Sequence, residues 1–148
     1  MYKHILIATD GSELAQRAVT HGLTLAKSVG ARVTFLTATT MWSAMEMTGH
    51  AQHGEHHPID DFEARSAKWA NKILTACKEQ ADQVGVQATS IHASDTDPDR
   101  AIVQTAKTRE CDLIVMASHG RGPIGRLLLG SVALKVLTYT TIPVQIVR

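Results

Sequence analysis

The alternation of short apolar runs with longer stretches of helical periodicity constrains the fold of this 148-residue chain more than any other feature. Short apolar or β-branched runs predict strands at 4–9, 32–38, 113–116 and 143–147, and an alternating pattern predicts a strand at 86–92. Between them, apolar residues recur at helical spacing, which predicts helices over 13–29, from Asp60 to about Val84, from Pro98, and from Ser131. Strands that alternate with helices predict a single α/β domain, built on an open five-stranded parallel sheet with helices on both faces.

The segment 39–59 does not follow this alternation, and we expect it to be a long mobile connection. Its four histidines and three methionines show no clear period: His50, His53, His56, His57, Met41, Met45 and Met47. Histidines three residues apart can share a helical face and bind zinc, nickel or copper. Because no cysteine joins them, the composition favours the alternative, a solvated polar loop whose methionines pack on a pocket or a partner chain.

Composition excludes several classes of function. Only 4% of the residues are aromatic, so the chain has few side chains that could stack on the bases of a nucleic acid. The two cysteines, Cys77 and Cys111, lie in apolar stretches without metal-ligand spacing, which is typical of buried thiols in a reducing compartment. The chain enters its first strand without the regions of a signal peptide, and no apolar run approaches the ~20 residues of a membrane span. These features predict a cytoplasmic protein that binds neither nucleic acid nor membranes.

The stretch DLIVMASHGRGPIGRLLLGSV, residues 112–132, is the strongest candidate for a binding site. It predicts a buried strand, then a glycine-rich loop, then the start of a helix. Backbone N–H groups at a helix start lack intrahelical partners and favour anions, and glycines let a ligand approach the backbone. From Leu113 onward the chain has four basic residues and no acidic one, although its net charge is only +1. This local excess of positive charge predicts a small polyanionic ligand.

Two familiar phosphate-binding motifs do not explain this loop. The residues 120–125 match G-x-G-x-x-G, but the dinucleotide fingerprint belongs after the first strand and needs an acidic residue ~20 positions later. Here the pattern follows the fourth strand, and no acidic residue remains downstream. The Walker pattern is absent, because no lysine precedes a serine or threonine after these glycines.

A longer pattern does fit: Ala117-x-x-Gly120, nine residues, then Gly130-Ser131, together with Asp10 after the first strand. In these motifs, in its opening YKHILIATDGS and in its ending IPVQIV, the chain resembles the ATP-binding branch of the universal stress protein family. The resemblance covers essentially the whole chain. It implies a Rossmann-like fold of the adenine nucleotide alpha hydrolase type, with strand order 3-2-1-4-5. It also implies a homodimer that forms through the edge strand from Pro143 to Val147.

The resemblance further implies which residues contact ATP, with or without Mg²⁺ or Mn²⁺. Gly120, Gly130 and Ser131 match the phosphate-contacting positions, Asp10 matches the acid beside the nucleotide and its metal, and Ala38 matches the position that contacts adenine. The complete expected set is Ala8, Thr9, Asp10, Ala38, Met116, Ala117, His119, Gly120, Arg121, Gly122, Gly130, Ser131, Val132 and Ala133. Ala117 departs from the motif, which has glycine there. Its methyl group is harmless where φ is negative, and otherwise narrows the approach to the ligand.

Catalysis has little support in the sequence. There is no G-x-S-x-G nucleophile motif, and Asp10 is the one acidic residue that can be placed near the phosphates. We therefore expect a stress-response protein that acts as a nucleotide-dependent switch or sensor. The alternatives are a slow ATPase that uses Asp10 with Mg²⁺ or Mn²⁺, and a dimeric interaction protein whose glycines serve only a tight turn.

Overall fold

The computed structural model describes residues 1–40, 58–120 and 129–148 of the chain. Most of the histidine- and methionine-rich segment therefore lies outside the described residues, and its predicted mobility and metal binding remain predictions. Arg121 and Gly122 of the expected ATP site also lie outside them.

The described residues form a parallel α/β sandwich. The strands are β1 (His4–Ala8), β2 (Arg32–Thr39), β3 (Ala88–Ser94), β4 (Leu113–Ala117) and β5 (Val144–Val147). The helices are α1 (Glu13–Val29), α2 (Pro58–Val84), α3 (Pro98–Thr108) and α4 (Ser131–Tyr139). All strand pairs are parallel, and the order across the sheet is β3-β2-β1-β4-β5. The predicted fold class and strand order are therefore confirmed.

Two hydrophobic cores, one on each face of the sheet, stabilise this arrangement. Ile7 and Phe35 belong to the core shared with α1 and α2, whereas Leu6, Leu36 and Ile114 belong to the core shared with α3 and α4. These five side chains are at most 1% exposed. Burial on both faces explains why the central strands β1 and β4 are continuous apolar runs and not alternating ones.

Local sequence signals set several of the helix ends. The Ser12 side chain accepts a hydrogen bond from the Ala15 N–H and caps α1. Gly30 and Gly85 follow α1 and α2 with φ of 70° and 75°, a conformation that favours glycine at a helix end. Asp97 precedes α3 as Ser12 precedes α1, but the Asp97 side chain makes no capping hydrogen bond.

Several predicted boundaries were wrong by one or two residues, including the ends of β1, β3 and β4 and the start of β5. Strand β3 begins at Ala88, two residues later than the predicted start, because the Val86 N–H donates to the Ala81 carbonyl and so belongs to the end of α2. The predicted connection 39–59 is too long at both ends. At its start, Thr39 is still in β2, where it pairs with Ser94 of β3. At its end, α2 already begins at Pro58, because proline suits the first position of a helix.

The topology fixes where a ligand can bind. The chain leaves β1 toward β2 and β3 on one side of the sheet, and leaves β4 toward β5 on the other. The carboxyl ends of β1 and β4 therefore flank the switch point, where open α/β sheets form a crevice. Across the described ranges of the chain, no helix combines the length and the apolar character that a membrane crossing requires.

Candidate functional site

A cleft of about 490 Å³ opens at the switch point, above the carboxyl ends of β1, β2 and β4. Every residue of the expected ATP set that the structure describes lines it: Ala8, Thr9, Asp10, Ala38, Met116, Ala117, His119, Gly120, Gly130, Ser131, Val132 and Ala133. Five further lining residues were not predicted: Ala15, Leu36, Trp69, Pro98 and Ile102. The fold thus gathers residues from opposite ends of the sequence into one cavity of a size typical of small-molecule sites.

Backbone hydrogen bonds hold the loop after β1 at the floor of the cleft. The Thr9 N–H donates to the Leu36 carbonyl at 2.9 Å, and the Thr37 hydroxyl donates to the Thr9 carbonyl at 3.0 Å. In the next residue, one carboxylate oxygen of Asp10 accepts the Ser12 N–H at 2.9 Å. These contacts fix the Asp10 carboxylate at the edge of the cleft.

Gly120 brings the loop after β4 against this carboxylate. A Cβ atom built on Gly120 would lie 2.7 Å from the Oδ2 atom of Asp10, which is closer than real Cβ contacts. A larger residue at position 120 would therefore displace Asp10 or the loop. Among the described residues, the side chain of Asp10 is the one group within 4 Å of this Cβ position, so glycine leaves the space that the carboxylate occupies.

Gly130 is required for space and not for its conformational freedom. Its φ of −64° and ψ of 159° are accessible to any residue. A Cβ atom there, however, would lie 3.0 Å from both Cα and Cβ of His119. The Gly130 N–H donates to the Ser118 carbonyl at 2.8 Å, so the start of α4 is attached directly to the end of β4.

His119 is held between these glycines. Its Nδ1 atom lies 3.1 Å from the hydroxyl oxygen of Ser118, whose own N–H donates to the Val147 carbonyl at 2.9 Å. Ser118 is buried and His119 is half-buried at the cleft. The imidazole is therefore oriented by a neighbour that also connects β4 to β5.

The N-terminus of α4 gives the cleft its electrostatic character. Ser131, Val132 and Ala133 line the cleft, and the intrahelical bonds begin only with the Leu134 N–H, which donates to the Gly130 carbonyl at 3.0 Å. The three preceding N–H groups have no intrahelical acceptor, and the first turn carries no acidic residue. An anion is stabilised at such a helix end by the amides and by the helix dipole.

The departure at Ala117 causes no strain. Ala117 is the last residue of β4, pairs with Val147, and is not among the non-glycine residues with positive φ. An alanine methyl group is compatible with this extended backbone. The backbone at Ala117 is therefore of the kind for which we expected the methyl group to be harmless.

Other reactive groups in the described residues do not form a second site. No group of three histidine, cysteine, aspartate or glutamate side chains there is arranged to hold a metal ion. Both cysteines are buried and unpaired, and burial raises the pKa of each thiol to about 11. These thiols are therefore protonated at neutral pH and are poor nucleophiles.

The five missed lining residues carry ordinary core signals. Ala15, Trp69 and Ile102 stand on the apolar faces of their helices, Leu36 is in a buried strand, and Pro98 opens α3. Periodicity predicts that such residues are buried, but it does not reveal whether the neighbouring surface belongs to the core or to a cavity.

Taken together, the fold and the cleft define a Rossmann-like α/β protein that receives its ligand at the carboxyl edge of a parallel sheet. The sequence matches the universal stress protein family over residues 1–148. The chain belongs to the universal stress protein family, as its motifs predicted.

Relatives in this family align over the full chain. The chain is 35% identical to universal stress protein YxiE of Bacillus subtilis, with 100% of both sequences covered. It is 31% identical to universal stress protein MJ0531 of Methanocaldococcus jannaschii, with 100% of this chain and 83% of that protein covered.

Solved structures show the same fold. The hypothetical protein MJ0577 superposes with a TM-score of 0.78 at 29% identity, covering 99% of this chain and 96% of that one. A universal stress protein in complex with cAMP gives a TM-score of 0.68 at 24% identity, with 99% and 97% covered. The universal stress protein from Archaeoglobus fulgidus in complex with dAMP gives 0.67 at 17% identity, with 99% and 98% covered.

Proposed function

We propose that this universal stress protein is a cytoplasmic nucleotide-dependent switch or sensor that binds ATP in the cleft at the switch point. One observation carries the proposal: the free amides at the start of α4, the two space-limited glycines and the apolar end of β2 all line the same cavity. The phosphates lie against Gly120, Gly130 and Ser131, because the amides and the helix dipole favour negative charge there. The base lies toward Ala38. The cAMP and dAMP complexes of two structural neighbours support an adenine nucleotide as the ligand.

Thermal denaturation with and without nucleotide tests this proposal. A ligand at a hundredfold excess over its Kd stabilises the native state by about 2.7 kcal/mol. For a chain of this size, that corresponds to an increase in Tm of roughly 5 to 10 °C. Mass spectrometry of small molecules that co-purify with the protein identifies the nucleotide bound in the cell. A Tm that ATP, ADP, AMP and cAMP all leave unchanged contradicts the proposal.

The substitution Gly130→Val tests the position of the phosphates. A valine side chain at this position collides with the Cα and Cβ atoms of His119 and obstructs the amides, so we expect the ATP-dependent increase in Tm to disappear. Leu134→Val is the matched control, since it places the same side chain on an exposed position of α4 outside the cleft. Ser131→Ala is a milder second variant in case Gly130→Val does not fold. An ATP response that persists in Gly130→Val contradicts the site.

Slow ATP hydrolysis is the second candidate function. Asp10 is the one acidic residue among the described residues of the cleft lining, and a single carboxylate fits a metal ion that arrives already bound to nucleotide phosphates. Such a metal ion would neutralise phosphate charge, while Asp10 would hold a metal-bound or attacking water. Phosphate release is measured with Mg²⁺ and with Mn²⁺, in the wild type and in Asp10→Asn. Release that stays at background in both proteins excludes this candidate.

A homodimer through β5 completes the proposed function. Strand β5 lies at an edge of the sheet, and α4 before it exposes Leu134 by 52%, Leu137 by 42% and Tyr139 by 70%. An apolar edge strand beside exposed apolar side chains is a surface that soluble proteins usually cover. A second copy of this chain pairing along β5 covers both. Should the cleft bind no nucleotide, this surface instead supports the alternative of a dimeric interaction protein.

A further inference from the structure

The cleft has two ends of opposite chemistry. One end carries Asp10, Gly120 and the amides at the start of α4, and it suits phosphates. The other end is lined by Leu36 and Ala38 of β2 and by apolar side chains from two helices. A nucleotide whose phosphates occupy the first end therefore extends its base toward the second.

Trp69 reaches the apolar end because α2 is longer than the strands that it covers. Its 27 residues span about 40 Å, whereas the 7 residues of β3 span about 23 Å. The helix ends at Val84, just before β3 begins, so its N-terminal half extends past the carboxyl ends of the strands. The neighbouring Ala70 is fully buried, but Trp69 is only half-buried and lines the cleft.

Side chains from opposite layers of the fold line the same cleft. Helix α2 packs on the sheet face that contains Phe35, and α3 packs on the face that contains Leu36. Trp69 of α2 and Pro98 and Ile102 of α3 nevertheless line the same cavity. Because both helices also pack against β2, this part of the cleft is lined from both layers, and it favours an apolar group.

We propose that Trp69 contacts the base of the bound nucleotide and determines its preference for purines. Among the phenylalanine, tyrosine and tryptophan residues that the structure describes, Trp69 alone lines the cleft. Indole rings stack on nucleobases, and the larger face of a purine gives the larger contact. This inference rests on the proposed function, because it assigns a residue to the base of the nucleotide that the cleft binds.

Substitution of Trp69 separates base contact from phosphate contact. Removing a stacked aromatic residue weakens the binding of a base by roughly 5- to 100-fold. We expect Trp69→Leu to weaken ATP binding within this range and to reduce the ratio of ATP to CTP affinity. Binding of inorganic tripolyphosphate, which has no base, should stay within about twofold of wild type. Trp69→Phe retains an aromatic ring and should recover most of the ATP affinity.

A second readout uses the two tryptophans of the chain, Trp42 and Trp69. Trp42→Phe leaves Trp69 as the one source of tryptophan fluorescence. Titration of this variant with ATP should change the emission intensity, because a stacked base alters the surroundings of the indole, whereas tripolyphosphate should leave it nearly unchanged. Far-UV circular dichroism and the Tm of each ligand-free variant verify folding.

The outcomes distinguish this inference from the proposed function. If wild type binds ATP, while Trp69→Leu binds ATP equally well with the same ATP to CTP ratio, the inference is overturned and the nucleotide site stands. Equal loss of ATP and tripolyphosphate binding in a folded Trp69→Leu protein also overturns it, because the role is then structural. If the wild type binds no nucleotide, the proposed function and this inference fall together.

Discussion

Residues with a left-handed backbone conformation, in which φ is positive, show where this backbone is strained. Three helices end in the same way: the N–H of Ala31, Val86 or Cys111 donates to the carbonyl five residues earlier. The residue before each of these donors has positive φ, and it is glycine in α1 and α2 but Glu110 in α3, with φ of 54°. A side chain in this conformation costs roughly 1 to 2 kcal/mol, which glycine avoids.

Glu110→Gly should therefore stabilise the protein. Relief of the strained backbone exceeds the greater chain entropy that glycine brings to the unfolded state, so we expect a net gain of about 0.5 to 1 kcal/mol. Gly30→Ala is the reciprocal control and should destabilise by about 1 kcal/mol, because it places a side chain at φ of 70°. Urea unfolding measures both. A loss of stability in Glu110→Gly would contradict this account.

Ala117→Gly tests the departure from the family motif. Because Ala117 lies in β4 without positive φ, glycine offers no conformational advantage there and loses buried contacts. We expect the free energy of unfolding to fall by about 0.5 to 1 kcal/mol, with ATP affinity within about threefold of wild type. Isothermal titration calorimetry and urea unfolding measure the two effects. A tenfold gain in affinity would mean that the methyl group does obstruct the ligand.

At the scale of secondary-structure elements, the sequence predicted each described strand and helix but misplaced some ends. Val86 shows the cause. It is buried because a residue at this point packs under the end of α2, and one apolar residue before a strand is indistinguishable in sequence from the first residue of that strand. The cleft shows the same limit, since its motif residues were predicted from the resemblance to the family, while Trp69 carried only the signal of a helical core position.

The buried His4 and the half-buried His92 connect neighbouring strands of the sheet. The His4 ring lies 2.8 Å from the Thr34 hydroxyl, and the His92 ring lies 2.7 Å from the Thr39 hydroxyl. Burial lowers the pKa of both histidines below the usual 6.5. For His4, the positive charge of Arg32 lowers the pKa further, while Asp112 raises it.

The stability of the sheet should therefore fall in mild acid. Both rings take up protons at a lower pH in the folded protein than in the unfolded chain, where the pKa is near 6.5, so their contribution to stability is complete above pH 6.5 and is lost as the pH falls below it. We expect the urea midpoint to decrease between pH 8 and pH 5.5. His92→Gln should flatten this decrease, whereas His21→Gln, at an exposed position, should not. A wild-type midpoint that is constant over this range would contradict the prediction.

At the scale of the whole molecule, the two edges of the sheet differ in character. Strand β3 exposes Thr89 and Ser90, whereas β5 is almost entirely apolar. The carbonyls of Pro143 and Val147 face β4, because they accept hydrogen bonds from the N–H groups of Ile114 and Ser118. Successive residues of a strand direct their N–H and C=O groups to alternate sides, so those of Val144 and Ile146 point outward. These outward groups are what the β5 strand of a second copy of the chain would pair with.

Proline substitutions at the two edges test this dimer. Ile146→Pro removes an outward donor from β5, and because its N–H takes no part in pairing with β4, the monomer fold should survive. Ser90→Pro is the matched control at the opposite edge, where the Gln87 carbonyl accepts the Val33 N–H and alternation again directs the Ser90 N–H outward. Sedimentation equilibrium should report a dimer for wild type and Ser90→Pro, and a monomer for a folded Ile146→Pro protein. A dimer that survives Ile146→Pro but dissociates in Ser90→Pro would assign the interface to β3. A monomeric wild type would show that β5 remains an uncovered edge, and the switch would then have to act within a single chain.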